Sequence, residues 1–160
     1  MIRPAIPADA AAIAAIYNHY VRETVVTFEE EPIGKAEMSR RITEVTAGHP
    51  WLVAVEGGKV LGYAYANHWK ARSAYRFSTE STVYLGPDAT GRGLGTGLYT
   101  ALLAELRRHG CHCVIGGIAL PNPASVGLHE KLGFKKVGHM QEAGWKFEAW
   151  WDVGFWERML

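Results

Sequence analysis

Four glycines at alternate positions, Gly91, Gly93, Gly95 and Gly97, run straight into an apolar stripe of Leu98, Leu102, Leu103 and Leu106. The stripe predicts an amphipathic helix over residues 96–109, with Gly110 as its stop. Glycines let main-chain N–H groups come close to an anion. A helix start adds unpaired donors and a partial positive charge, which suits a phosphate, and Arg92 adds a mobile cation. A P-loop would need Gly-Lys-Ser/Thr, which is missing. A dinucleotide fingerprint needs a small last residue, but counting from Gly93 that place holds Leu98, and from Gly91 it holds Thr96. Five residues also separate the preceding strand from the turn, which breaks the tight strand–turn–helix unit. A merely flexible loop is the remaining alternative.

The rest of the chain reads as one domain over residues 1–160, without repeats or linkers. Residues 2–4 suggest a short strand. Residues 8–20 carry Ile13, Ile16, Tyr17 and Tyr20 at helical spacing, with Asp9 in the first turn. Residues 21–33 show no period, and 35–46 read as a polar helix. Strands 51–56 and 59–68 form a hairpin around Gly57-Gly58. Further strands are predicted at 76–85 and 114–120, the latter central. Asn122-Pro123 opens a short helix, Asn as cap and Pro at its first position, which ends at Gly133. Residues 135–146 and 147–157 close the chain as paired strands. This order predicts an α+β fold, a mixed sheet with helices on both faces.

With 17 basic against 16 acidic residues and no block of either sign, the chain lacks the dense basic face of a nucleic-acid binder. No run reaches the about 18 apolar residues that span a membrane, and no signal-peptide pattern opens the chain, so a cytoplasmic protein is expected. Cys111 and Cys113 stand too close in sequence for an easy unstrained bridge. His109 and His112 flank them, yet no second Cys/His group completes four ligands. No metal is expected.

Two motifs carry a family resemblance. Arg92-Gly93-Leu94-Gly95 resembles the pyrophosphate-binding motif of the GNAT acetyltransferases, with Thr90 where that pattern has Gln or Arg. Residues 122–134, from Asn122 through Ser125 and His129 to Gly133-Phe134, resemble the second signature of the same superfamily. Thr27-Phe28-Glu29-Glu30, Trp69-Lys70-Ala71-Arg72, Glu80-Ser81-Thr82-Val83-Tyr84 and Asp152-Val153-Gly154-Phe155-Trp156 are similar to the phosphinothricin acetyltransferase family. The resemblance implies a GNAT-like, mostly antiparallel sheet and an acetyl-CoA cosubstrate. It also implies a homodimer and an amino-acid-like amine as acceptor: phosphinothricin, methionine sulfoximine or a related oxyanion-bearing antibiotic such as arsinothricin. It places main-chain groups of Val83, Tyr84 and Leu85 on the acetyl and pantetheine end. Arg92, Gly93, Leu94, Gly95, Thr96 and Gly97 fall on the diphosphate. Asn122 falls on the pantetheine arm, with capping of its own helix as the alternative.

Acetyl transfer to an amine requires a base, a donor to the thioester oxygen and help for the departing thiolate. Glu80 is the candidate base. Strand alternation groups it with Thr82 and Tyr84, and Phe77, Tyr84 and Tyr65 are expected to desolvate it and raise its pKa. His129 occupies the place where many members of the superfamily carry a tyrosine that protonates the thiolate. An imidazole titrating near neutrality is able to give that proton or to accept one. Lys70, Arg72 and Arg76, interleaved with Trp69, Tyr75 and Phe77, offer cations for a carboxylate and a second oxyanion. Ser81, Thr82 and Phe28 complete the expected acceptor site, Phe28 from either subunit. Other acceptors (a polyamine, an arylamine, a protein N-terminus) and a non-catalytic CoA-binding module are the competing readings.

Overall fold

The computed structural model describes all 160 residues, Met1–Leu160. Seven strands and four helices follow in the order β1 (Ile2–Pro4), α1 (Ala10–Glu23), α2 (Lys35–Thr46), β2 (Trp51–Glu56), β3 (Lys59–His68), β4 (Ser78–Leu85), α3 (Leu94–Arg108), β5 (Cys113–Leu120), α4 (Pro123–Lys131), β6 (Lys135–Lys146) and β7 (Ala149–Met159). The sheet order is β1-β2-β3-β4-β5-β7-β6. Every pairing is antiparallel except β4 with β5. The α+β class and the mostly antiparallel sheet match the expectation from sequence, and β5 is an interior strand.

Alternation along the strands builds a core on each face of the sheet. On one face Ile13, Tyr17 and Val21 of α1 and Met38 and Ile42 of α2 pack on Trp51, Val53, Tyr63 and Tyr84. On the other, Leu98, Leu102 and Leu106 of α3 meet Leu52, Ala54, Ala64, Val114 and Trp156. The stripe of α1 does not end at Tyr20. Val21, four residues after Tyr17, is 1% exposed, and no Gly or Pro intervenes, so the helix runs on to Glu23. Asp9 packs at the head of this helix as an ion pair with Arg3 at 2.8 Å.

The starts of β4 and β7 differ from the sequence reading for backbone reasons. A 3-10 turn over Ser73–Tyr75 uses up the residues before β4, so the strand starts at Ser78. The β6–β7 hairpin turns at Phe147 and Glu148, both at positive φ (53° and 56°), leaving β7 to begin at Ala149.

Candidate active site

The parallel ladder between β4 and β5 holds for three pairs only, Ser78 with Cys113, Thr79 with Val114 and Glu80 with Ile115. Beyond it, residues 81–85 and 116–120 have no register partner in each other. Each keeps its other neighbour, β3 or β7. A cavity of about 80 Å³ opens in this gap, lined by Ser81, Val83 and Tyr84 of β4, Gly117 and Ala119 of β5, and Asn122 and His129 of the α4 segment. Unpaired main chain on both sides of a cleft suits an extended ligand that needs hydrogen bonds along its length.

At one end of β4 stands the glycine turn. Gly91 and Gly93 both lie at positive φ (73° and 78°), and α3 starts directly after Gly93, two residues earlier than predicted. Gly97 N–H donates to Gly93 O at 3.1 Å and closes the first helical bond. No side chain caps this helix, so the N–H groups of Leu94, Gly95 and Thr96 precede its ladder and remain free for an anion. By contrast, Asn122 Oδ1 accepts from Ser125 N–H at 3.1 Å and caps α4. The carbonyl end of Asn122 therefore serves the fold, while the residue still borders the cavity. Arg92 is not the free cation expected from sequence: its guanidinium pairs with Glu56 of the β2–β3 hairpin at 2.7 Å.

Glu80 projects from β4 on the face opposite α3. It is half-buried, and burial raises its pKa while the nearby Lys70 charge lowers it. Of the neighbours expected to desolvate it, Tyr65 is close enough for the Glu80 charge to push its hydroxyl up further. Phe77 is 51% exposed and lies under Arg76 instead. Sequence reasoning missed Gly117 and Phe155. A Cβ on Gly117 would stand 3.3 Å from the Phe155 ring and 3.6 Å from Glu80 Oε1. Trp69 meets Phe155 edge-on at 5.8 Å and carries the Lys70 ammonium over its own ring at 5.0 Å. Glu80, Lys70, Trp69 and Phe155 thus gather around a bare stretch of β5. Arg72 and Arg76 stay on the exposed 3-10 loop, and Arg76 bonds back to Ser73 O at 3.1 Å.

His129 lies on the other face, 4% exposed. Nδ1 is 2.7 Å from Ser125 O, and Nε2 is 2.9 Å from Tyr99 Oη. A carbonyl only accepts, so Nδ1 carries the proton and Nε2 is an acceptor for the Tyr99 hydroxyl. Burial lowers the imidazole pKa and favours this neutral form. At rest, neutral His129 has its one proton committed to the Ser125 carbonyl, so of the two roles considered from sequence it is set first to accept a proton, and it gives one to a thiolate only after taking one up. Tyr99, part of the chain that holds it, gave no sequence signal beyond an aromatic on an apolar stripe.

Thr82 faces Tyr65 across the β3–β4 ladder. Phe28 does not border the cavity. Its ring rests on Gly144 of β6, where a Cβ would stand 2.1 Å from Cζ. The adjacent Thr27 carbonyl accepts from the buried Lys146 ammonium at 2.8 Å. Cys111 and Cys113 are free, and no group of three His, Cys, Asp or Glu residues is arranged to hold a metal. No helix is long and apolar enough to cross a membrane.

A parted β4–β5 pair, a glycine turn with unclaimed amides and a half-buried carboxylate beside the gap define an acyltransferase-type site. The profile of the "Acetyltransferase (GNAT) family" matches residues 13–134. The chain belongs to this family and is an acetyl-CoA-dependent N-acetyltransferase. Phosphinothricin N-acetyltransferase of Streptomyces viridochromogenes is 45% identical over 157 residues, covering 98% of this chain and 86% of that one. The L-methionine sulfoximine/L-methionine sulfone acetyltransferase of Salmonella typhimurium is 37% identical, covering 99% and 94%. A crystal structure of a GNAT superfamily phosphinothricin acetyltransferase from Sinorhizobium meliloti in complex with AcCoA superposes with a TM-score of 0.97 at 39% identity, covering 100% and 88%.

Proposed function

We propose that this chain acetylates the α-amine of a glutamate- or methionine-like amino-acid analogue, with phosphinothricin and methionine sulfoximine as the leading acceptors. The observation that carries this reading is the half-buried Glu80 carboxylate beside the β4–β5 gap, 3.6 Å from where a Cβ on Gly117 would stand, with the Lys70 ammonium held over the neighbouring Trp69 ring. One group takes a proton from an ammonium, and the other neutralises a carboxylate on the same small molecule. The names of the relatives support the same acceptor class.

In this reading the free amides of Leu94, Gly95 and Thr96 hold the diphosphate of acetyl-CoA, and main-chain groups of Val83 and Leu85 align its thioester end. When bound, acetyl-CoA supplies the activated acetyl group. Glu80, kept partly dry, takes the proton that blocks the amine lone pair, directly or through a water. Burial raises its pKa above that of an ordinary Glu, which makes it a stronger base for that exchange. Lys70 anchors the acceptor carboxylate while Trp69 and Phe155 wall the site.

The chain acts as a homodimer in this reading. Met140, Trp145, Phe147 and Trp150 of the β6–β7 hairpin are each at least half exposed, an apolar surface that a second copy would cover. Trp156, at 2% exposure, belongs to the core instead. Gel filtration tests this point, and elution as a monomer overturns it.

The deciding experiment is an acceptor screen following CoA release with acetyl-CoA as donor. Phosphinothricin or methionine sulfoximine should be turned over in preference to polyamines, arylamines and peptides with a free N-terminus. Preference for one of those other amines overturns the acceptor assignment. Cofactor binding without release of CoA on any amine overturns the enzymatic reading of the site.

A further inference from the structure

Three buried side chains from three elements form one chain of hydrogen bonds. Ser81 of β4 meets Tyr99 of α3 through their hydroxyls, and Tyr99 meets Nε2 of His129 on α4 at 2.9 Å. They are 5%, 0% and 4% exposed. Gly116 of β5 makes the arrangement possible, because a Cβ there would stand 2.6 Å from Nε2. Ser81 and His129 both border the cavity in the β4–β5 gap; Tyr99 bridges them from behind.

The direction of each bond follows from the far end. His129 Nδ1–H is committed to the Ser125 carbonyl, so Nε2 accepts from Tyr99. Tyr99, having donated its one proton, accepts from Ser81. Ser81 is left with oxygen lone pairs and no spare proton. A cavity-lining group that only accepts, wired to a neutral imidazole, is built to take up a proton.

We propose that Ser81, Tyr99 and His129 form a proton relay for acetyl transfer, in which Tyr99 is a positioning residue acting through its two partners. As the acceptor nitrogen bonds to the acetyl carbon, its surplus proton passes to Ser81 Oγ. The Ser81 proton moves to Tyr99 Oη, and the Tyr99 proton moves to Nε2. The resulting imidazolium keeps its Nδ1–H on the Ser125 carbonyl. When the carbon–sulfur bond breaks, the same three steps run backward and deliver one proton to the CoA sulfur. The amide and the thiol are formed, His129 is neutral again, and no outside acid or base is consumed. Around the imidazole stand Tyr99 from α3, Gly116 from β5, Ser125 from its own helix and Phe134 beyond α4; none carries a charge. The captured proton is therefore held only while the sulfur waits for it. This rests on the N-acetyltransferase reading and adds the path its protons take.

The test is steady-state kinetics of Tyr99→Phe, Ser81→Ala and the double variant, on whichever amine the parent turns over. Each single variant should lower kcat by about 100-fold while KM for acetyl-CoA stays at the parent value. The double variant should fall no further than the worse single one, as expected of groups that act as a unit. Parent-like kcat in Tyr99→Phe, or losses that multiply in the double variant, overturns the relay. Ser81→Ala breaks the same chain from the strand side without touching the packed ring, so a folding failure in Tyr99→Phe leaves the question decidable. The acceptor assignment stands or falls separately, on the turnover of phosphinothricin by the parent.

Discussion

Gly116 and Gly117 are adjacent on β5 and open opposite faces of the sheet. A Cβ on Gly116 would come within 2.6 Å of His129 Nε2, and one on Gly117 within 3.6 Å of Glu80 Oε1. The pair thus separates the two titratable groups of the site, one on each side of the gap. His129 is fully packed, so it has no room to yield. Gly116→Ala is expected to cost about 1–3 kcal/mol by overpacking and to lower kcat by displacing the imidazole. Urea denaturation and steady-state kinetics check the two effects. An alanine variant as stable and active as the parent shows that the ring moves freely.

Gly117 is exposed, and a Cβ there would meet only Phe155 at 3.3 Å and Glu80 at 3.6 Å, both at the proposed acceptor site, so substitution there should act on the acceptor more than on the fold. Gly117→Val is expected to raise KM for the amine, most for acceptors with long side chains. KM for acetyl-CoA should not change. The check is a series of amino-acid analogues of increasing length. A uniform loss across the series would mean that the valine disturbs Glu80 itself.

Glu80 is held partly out of water, and its raised pKa has two consequences with opposite signs. With Glu80 as the proposed base, turnover needs its carboxylate, so kcat should fall as pH drops through a value raised above that of an ordinary Glu. Stability favours the neutral acid, so the fold loses some stability as pH rises through the same region. Glu80→Gln removes both effects. Turnover is expected to fall by about 100-fold or more with acetyl-CoA affinity nearly unchanged. The variant should be more stable than the parent at neutral pH and equal to it below the ordinary Glu range. Rate profiles and urea midpoints across pH measure these outcomes.

The legible parts of the fold were those with local punctuation. Gly57-Gly58 located the β2–β3 hairpin to the residue, and Asn122-Pro123 did the same for the start of α4. The β6–β7 turn was misplaced because Phe147 and Glu148 adopt a left-handed conformation that the sequence does not advertise. In the site, motif spacing located the glycine turn, Glu80 and His129. It missed what depends on packing between distant elements. Phe155 reaches Glu80 from the last strand, Tyr99 directs His129 from α3, and Glu56 captures Arg92 across 36 positions of sequence.

That last contact predicts an effect on cofactor binding. Arg92 Nη2 sits 2.7 and 3.0 Å from the two Glu56 oxygens, and both side chains are substantially exposed. For Arg92 to reach a diphosphate, the pair has to open. Glu56→Gln is therefore expected to tighten CoA binding modestly, by about two- to fivefold, and Arg92→Gln to weaken it. Both differences should shrink as salt rises. Calorimetric titration at low and high ionic strength distinguishes this from a purely structural ion pair, which would leave CoA affinity unchanged in Glu56→Gln.

The segment between α1 and α2 lacks regular structure yet is tied down at several points. Phe28 lies on Gly144, Lys146 holds the Thr27 carbonyl, and Arg41 binds Glu29. Val26, two residues before Phe28, borders the cavity. A change at Gly144 should therefore reach the site through this strap. In Gly144→Ala the new methyl would overlap the Phe28 ring, with atoms at 2.1–2.5 Å, so the ring has to leave and draw the strap with it. The expected result is a higher KM for the amine with little change for acetyl-CoA, because the proposed diphosphate site lies on the start of α3, away from the strap. Stability should fall by about 1–3 kcal/mol. Phe28→Ala in the same background relieves the overlap and should recover part of the stability but not the affinity for the amine. If it recovers both, the strap has no part in shaping the acceptor site and serves only to cover the hairpin.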